Sequence, residues 1–179
     1  MIYNYKDFYN DVIMLPNGRE VKIRVKHNSI LGIVSNNQYI RNYIFDCLST
    51  HVQKAYDEKK SSKGKNMFED LEDRSKNKDI DYLETYLRIA GLIDKKDSMV
   101  EGLNAFEKVK LSILRQALTD QRILVLKEIF DDLPREECGE LNNIIIEFSV
   151  WNTFIIIIDP QYSSECIFDK IINIDKEII

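Results

Sequence analysis

Two uninterrupted runs of aliphatic residues in the last third of the chain constrain its fold more than any other feature. Residues 123–126 read Ile-Leu-Val-Leu, residues 154–158 read Phe-Ile-Ile-Ile-Ile, and each run is as long as a β-strand. Between them, residues 138–148 repeat apolar side chains at helical spacing. Strands that are apolar at every position are typical of a parallel sheet covered on both faces, and alternating helices supply that cover. The sequence thus predicts an α/β fold of three layers with a mostly parallel sheet.

The first third of the chain predicts an antiparallel part ahead of this sheet. Residues 16–18 (Pro-Asn-Gly) form a turn signal, and residues 21–26 then alternate apolar and basic side chains, as a strand with one exposed face does. Residues 29–34 are a third apolar run, which we expect to be a buried strand. Residues 39–48 return to helical spacing.

Composition is typical of a single soluble domain spanning residues 1–179. The formal net charge of −5 argues against a nucleic-acid partner, because such proteins usually present a basic face. No apolar run approaches the roughly 20 residues that cross a bilayer, so direct membrane insertion is not expected. Three scattered cysteines indicate a cytoplasmic location. Residues 53–79 are dense in charge and predict an exposed, partly mobile excursion.

A longer pattern surrounds the first aliphatic run. Residues 102–118 (Gly-Leu-Asn-Ala-Phe-Glu-Lys-Val-Lys-Leu-Ser-Ile-Leu-Arg-Gln-Ala-Leu) precede the run, which Lys127 and Glu128 follow. This order resembles the signature helix and the Walker B strand of ABC transporter-type ATPase domains. The resemblance covers residues 83–179 well and 1–50 loosely, and it implies a P-loop NTPase-like fold with a reduced helical subdomain. Residues that shape the fold are retained, whereas most of those that contact nucleotide in that family are replaced.

The resemblance places a degenerate phosphate loop after the third apolar run. Residues 35–43 read Ser-Asn-Asn-Gln-Tyr-Ile-Arg-Asn-Tyr where the family has G-x-x-x-x-G-K-[ST]. Ile40 stands at the second framing glycine, where a β-branched side chain crowds the space for a phosphate. Two interpretations stay open: these residues begin an ordinary helix, or they keep an anion site at the helix N-terminus. The candidate nucleotide-binding residues are Ser35, Asn37, Arg41 at the lysine position and Asn42 at the hydroxyl position.

The other nucleotide-contacting positions of the family are also replaced. Asn104 and Phe106 stand in the signature, and Phe106 puts a ring where close backbone approach is required. Lys127 stands at the Walker B aspartate, a charge reversal that is expected to repel Mg²⁺. Glu128 remains at the position of the catalytic base, and Asp159 replaces the switch histidine.

These replacements suggest one internal contact. The resemblance implies that the Walker B and switch strands are neighbours, and Lys127 would then emerge beside Asp159. Because a buried lysine needs a counter-charge, we hypothesise that Lys127 pairs with Asp159 or Glu128 in the vacant Mg²⁺ and γ-phosphate space. Glu107, Lys108 and Lys110 are expected on an exposed helix face, and no metal ligands are predicted.

The resemblance and the replacements together imply a catalytically inactive pseudo-ATPase domain that acts by association. The partners considered are a competent ABC ATPase subunit, a membrane permease and a second copy of the chain, and such a partner could hold the domain peripherally at the membrane. No cofactor is expected. Two alternatives stay open: an ATP-binding, non-hydrolysing subunit of an asymmetric transporter heterodimer, and a stand-alone binding protein that retains only the ABC fold.

Overall fold

The computed structural model describes residues 8–53, 62–75, 77–118, 123–131, 133–150, 154–160 and 168–176. The strands in these ranges are β1 (Phe8–Met14), β2 (Glu20–Lys26), β3 (Ile30–Val34), β4 (Ile123–Lys127), β5 (Phe154–Asp159) and β6 (Lys170–Asn173). The helices are α1 (Gln38–Gln53), α2 (Met67–Arg74), α3 (Ile80–Ile89), α4 (Ala105–Ala117) and α5 (Arg135–Val150). None of these helices is long and apolar enough to cross a membrane.

Strands β3 to β6 form a four-stranded parallel sheet. Strands β1 and β2 form a separate antiparallel hairpin. The sheet order is β4-β5-β3-β6, with Ile30 of β3 opposite Ile155 of β5, and Ile123 of β4 opposite Phe154 of β5. The two central strands, β3 and β5, are apolar runs of the sequence. The predicted α/β class, the mostly parallel sheet and the N-terminal antiparallel part are confirmed.

Alternate side chains of the parallel strands enter two separate hydrophobic cores. Ile156 and Ile158 of β5 pack with the inner face of the β1–β2 hairpin and with Ile44 of α1. Ile155 and Ile157 pack on the other face of the sheet, against α2, α3, α4 and α5. Because side chains alternate across a strand, a strand between two covered faces must be apolar throughout. The sheet is thus the middle of three layers.

A glycine in the middle of β3 lets a ring pack directly on the strand backbone. A Cβ atom at Gly32 would lie 3.0 Å from the ring of Phe168, which precedes β6. No larger residue fits there without displacing the ring. This close approach joins the edge strand β6 to the centre of the sheet.

Part of the charged segment 53–79 is a capped helix, which the sequence interpretation missed. The Asn66 side chain accepts a hydrogen bond from the Glu69 backbone N–H, and the Glu69 carboxylate accepts one from the Asn66 backbone N–H. Met67, the first residue of α2, is fully buried. Residues 54–61 lie outside the described residues, and the mobility expected of the segment stays a prediction.

A buried ionic network fastens α2 to α4. The Asp70 carboxylate, 1% exposed, accepts hydrogen bonds from Ser62 Oγ at 2.6 Å, Arg115 Nε at 2.7 Å and Arg74 Nε at 3.2 Å. Burial alone would raise the pKa of Asp70, but the hydrogen bonds from Arg115 and Ser62 and the two arginine charges outweigh it, so its pKa lies below the ordinary value. Several charges of this segment thus form an internal cross-link, although the sequence predicted a solvated excursion.

Replacing Asp70 with asparagine should break this cross-link. The variant removes the carboxylate that faces Arg74 and Arg115, both largely buried, so we expect the free energy of unfolding to fall by about 3 kcal/mol in urea denaturation. Asp73→Asn in the same helix is the matched control, because Asp73 is half exposed and its ion pair with Lys65 lies at the surface, so the change should cost less than about 1 kcal/mol. Equal losses in the two variants would contradict the role assigned to Asp70.

Candidate functional site at the carboxyl edge of the sheet

Three parallel strands end side by side and bring most of the predicted site residues together. Ser35 follows β3, Glu128 follows β4, and Asp159 ends β5. The Ser35 N–H donates to the Asp159 carbonyl at 3.2 Å, and the Glu128 N–H donates to the Ile158 carbonyl at 2.9 Å. These backbone hydrogen bonds join the ends of β3, β4 and β5, where the resemblance predicts the phosphate-loop, Walker B and switch positions.

The loop between β3 and α1 consists of residues 35–37, and its last residue caps the helix. Asn37 Oδ1 accepts hydrogen bonds from the backbone N–H groups of Tyr39 at 3.0 Å and Ile40 at 3.3 Å. These are donors that an anion at the helix N-terminus would use. Of the two sequence interpretations, an ordinary capped helix is the one that these contacts favour.

A carboxylate that the sequence interpretation missed accepts hydrogen bonds from the same loop. Asp175, in the turn after β6, accepts from Ser35 Oγ at 2.7 Å and from the Asn36 N–H at 2.6 Å. The Ile174 N–H donates to the Val34 carbonyl at 2.8 Å and so holds this turn against the end of β3. The signal that could have found Asp175 is its place directly after the last apolar run, because parallel strands end at one edge.

The guanidinium of Arg41 is neutralised inside the protein. Arg41 is 7% exposed; its Nε donates to Glu128 Oε1 at 2.6 Å and its Nη1 donates to the Ser35 carbonyl at 2.8 Å. Glu128 adopts a φ of +51°, in the left-handed region that non-glycine residues seldom occupy. The ion pair thus joins the start of α1 to the end of β4.

The predicted ion pair of Lys127 with Asp159 or Glu128 is not formed. The ammonium of Lys127 donates instead to Asn42 Oδ1 at 2.7 Å and lies 5.5 Å from the centre of the Phe45 ring. The reason is the register of the sheet, in which Lys127 is opposite Ile158. Register partners share a face, and the next residue, Asp159, belongs to the other face. The strands are neighbours as expected, but their charged residues face apart.

Asp159 is a buried carboxyl group in an acidic neighbourhood. It is 4% exposed, and neither side-chain oxygen has a hydrogen-bond partner among the described residues. Burial, followed by the negative charges of Asp131 and Glu128, raises the pKa of Asp159 to about 7, against the opposing charge of Arg41. No group of three His, Cys, Asp or Glu residues that could hold a metal ion occurs in the described part of the chain.

The predicted signature residues lie apart from this edge, at the start of α4. Asn104 Oδ1 accepts from the Glu107 N–H at 2.8 Å, and Glu107 Oε2 accepts from the Asn104 N–H at 2.9 Å, which is a capping box. Phe106, the first residue after Ala105 in α4, is 8% exposed and packs in the core. The Lys110 ammonium lies 4.4 Å from the centre of the Phe106 ring.

Two polar residues that were expected on an exposed face of α4 are buried. Glu107 is 9% exposed and pairs with Lys95, and Lys110 is 5% exposed and pairs with Glu140. Hydrogen bonds from Lys95 and Asn104 outweigh burial and hold the pKa of Glu107 below its ordinary value. The polar end of the signature helix is thus bonded within the protein.

The raised pKa of Asp159 predicts how stability depends on pH. Between its ordinary value of 3.8 and about 7, the folded protein binds a proton at Asp159 that the unfolded chain has released. The contribution of this group is fully present below the unfolded pKa and is lost as pH rises through about 7, a loss of roughly 2 to 4 kcal/mol. Asp159→Asn removes this titrating group. The unfolding free energy of the variant should therefore fall less between pH 4 and pH 8 than that of the unaltered protein, which urea denaturation at each pH measures.

An exposed aspartate at the start of α3 serves as the control for this measurement. Asp81→Asn makes the same chemical change at the surface and should leave the pH dependence as it is in the unaltered protein. If the Asp159→Asn curve ran parallel to that of the unaltered protein, the carboxyl group would not have the raised pKa assigned to it.

The fold is similar to that of solved ABC ATP-binding domains. An ABC transporter ATP-binding protein of Pyrococcus furiosus matches at a TM-score of 0.68 and 14% identity, over 87% of this chain and 89% of that chain. The protein cbiO1 of Clostridium perfringens, described as part of the ABC transporter complex cbiONQ, matches at a TM-score of 0.63 and 14% identity, over 88% of this chain and 80% of that chain. A chain in the structure of archaeal ribosomal stalk protein aP1 bound to archaeal ribosome recycling factor aABCE1 matches at a TM-score of 0.56 and 17% identity, over 85% of this chain and 33% of that chain.

No protein-family model and no curated protein matches the sequence. The structural matches nevertheless cover most of the chain, including its parallel sheet. The chain thus has the fold of ABC ATP-binding domains.

Proposed function

We propose that this chain is a catalytically inactive ABC-type domain that acts by associating with another protein. One observation carries the proposal: the donors of the phosphate loop are already bonded to protein acceptors. The Asp175 carboxylate accepts hydrogen bonds from the Ser35 hydroxyl and the Asn36 N–H, and the Asn37 side chain accepts them from two N–H groups of α1. A phosphate would have to displace these acceptors and would meet the negative charge of Asp175.

The charges that could assist hydrolysis are also engaged. Glu128 is bonded to Arg41, so it is not free to orient an attacking water. Lys127 holds a positive charge where the family holds Mg²⁺ through an aspartate, and its ammonium is bonded to Asn42. Asp159 has a pKa near 7 and carries only part of a negative charge at neutral pH. These contacts support a domain that uses neither ATP nor Mg²⁺.

We infer that such a domain acts through a protein partner. The similar Clostridium perfringens protein is described as part of an ABC transporter complex, which favours a partner of that kind. We infer that the partner is a competent ABC ATPase subunit, a membrane permease or a second copy of this chain. With a permease, the domain would lie in the cytoplasm at the membrane surface.

Calorimetric titration with ATP, with and without Mg²⁺, tests the proposal directly. We expect no detectable heat at millimolar ATP, because the loop donors are occupied, while a competent ABC ATPase domain titrated in parallel binds. Sedimentation velocity with and without ATP should show an unchanged oligomeric state. ATP binding that Mg²⁺ does not strengthen would contradict the proposal and favour the ATP-binding subunit of an asymmetric heterodimer. ATP hydrolysis would exclude both.

Removing the Asp175 carboxylate should expose the loop donors. We expect Asp175→Ala to bind inorganic pyrophosphate with a dissociation constant on the order of 1 mM, because Ser35 and Asn36 regain free donors and lose a repelling charge. Calorimetry measures the binding. Asp81→Ala, which removes the same charge from an exposed position in α3, is the control and should not bind. Binding by both variants would show that net charge, and not the Asp175 contact, is the obstacle.

A further inference from the structure

A cavity of about 1060 Å³ lies at the other end of β3 from the phosphate loop. Its walls are residues 24–26 of β2, the turn 27–29, the first two residues of β3, and Asp169 with Lys170 at the start of β6. Ligand pockets typically enclose about 300 to 1000 Å³, so the space suits a small organic molecule. Because β3 begins at Ile30 and the phosphate loop follows its other end, the cavity is a separate site.

Positive charge is concentrated in this cavity. Arg24, Lys26 and Lys170 line it together with one carboxylate, Asp169, on a chain whose net charge is −5. Within the described part of the chain, the ammonium groups of Lys26 and Lys170 have no ion-pair partner. Elsewhere in the structure, cations such as Arg41 are engaged by carboxylates. Two uncommitted ammonium groups in one concave site suit an anionic ligand.

Backbone contacts hold the walls of the cavity in place. Ser29 Oγ donates to the Lys26 carbonyl at 2.6 Å, and Asn28 adopts a φ of +58°, so the turn between β2 and β3 is tight. Asp169 Oδ2 accepts from the Ile30 N–H at 2.7 Å, and the Asp169 N–H donates to the Ile30 carbonyl at 2.9 Å. The carboxylate of Asp169 is thus used to fasten β6 to β3, and the backbones that carry the cations are fixed.

We propose that this cavity binds a phosphate monoester through Lys26 and Lys170. A phosphate monoester carries a charge of about −1.5 to −2 at neutral pH, which the two ammonium groups can balance. His27 and Asn28 add hydrogen-bonding groups to the same wall. A soluble metabolite and a lipid headgroup can both present this group. The site does not rest on the proposed loss of nucleotide binding, because it shares no residue with the phosphate loop.

Two probes distinguish these sources. Glycerol 3-phosphate is titrated into the full chain labelled for NMR, and vesicles of phosphatidylcholine with and without phosphatidic acid are tested by co-sedimentation. We expect chemical-shift changes at residues 24–31 and 169–170 for the soluble ester, or binding only to vesicles that contain phosphatidic acid for the lipid. The double variant Lys26→Gln/Lys170→Gln should weaken the observed binding about tenfold or more.

Lys22→Gln is the matched control for the double variant. Lys22 is an outward-facing lysine of the same strand that does not line the cavity, and its replacement should change the affinity by less than about twofold. Both cavity lysines are exposed, so the double variant should fold, which circular dichroism checks. The proposal is overturned if neither probe binds, if Lys22→Gln weakens binding as much as the double variant, or if the shift changes map to residues 35–41.

Discussion

The carboxyl ends of β3, β4 and β5 meet at one edge of the sheet, and the polar groups gathered there must either bond to one another or bind something else. In this protein most of them bond to one another, and the carboxyl group of Asp159 is the exception among the described residues. Arg41 is shared between Glu128 and the Ser35 carbonyl, and Asp175 accepts from the loop that follows β3. A buried donor without an acceptor costs about 1 to 3 kcal/mol, so these internal acceptors stabilise the edge by themselves.

The hydrophobic layers do not depend on what happens at that edge. The alternating residues of β5 fill two cores that lie on either side of the sheet, and Gly32 lets Phe168 pack on its middle. Ionic contacts then fix the helices on one face, where Asp70 joins α2 to Arg115 of α4. These packing and ionic contacts lie away from the carboxyl edge of the sheet, so the layers do not depend on which residues stand at that edge.

The site could be predicted only in part. The positions of Ser35, Glu128 and Asp159 were predicted from the resemblance to ABC ATPase domains, which places each of them after an apolar run that can be recognised in the sequence. The partners of Lys127 and Arg41 could not be recognised, since a shift of one residue in sheet register moves a side chain to the opposite face. Asp175 was missed for a related reason: its contact with the loop joins residues 139 or more positions apart in the chain.

Periodicity alone determined most of the layers of this protein: which runs become buried strands, where the hairpin turns, and which stretches form the covering helices other than α2. These features are local, because burial on one face or two imposes a repeat that each segment carries by itself. The tertiary structure decided which charge faces which. It made the charged segment around Asp70 an internal cross-link and brought the Asp175 carboxylate against the loop that follows β3. Such pairings depend on strand order and register, which no single segment encodes.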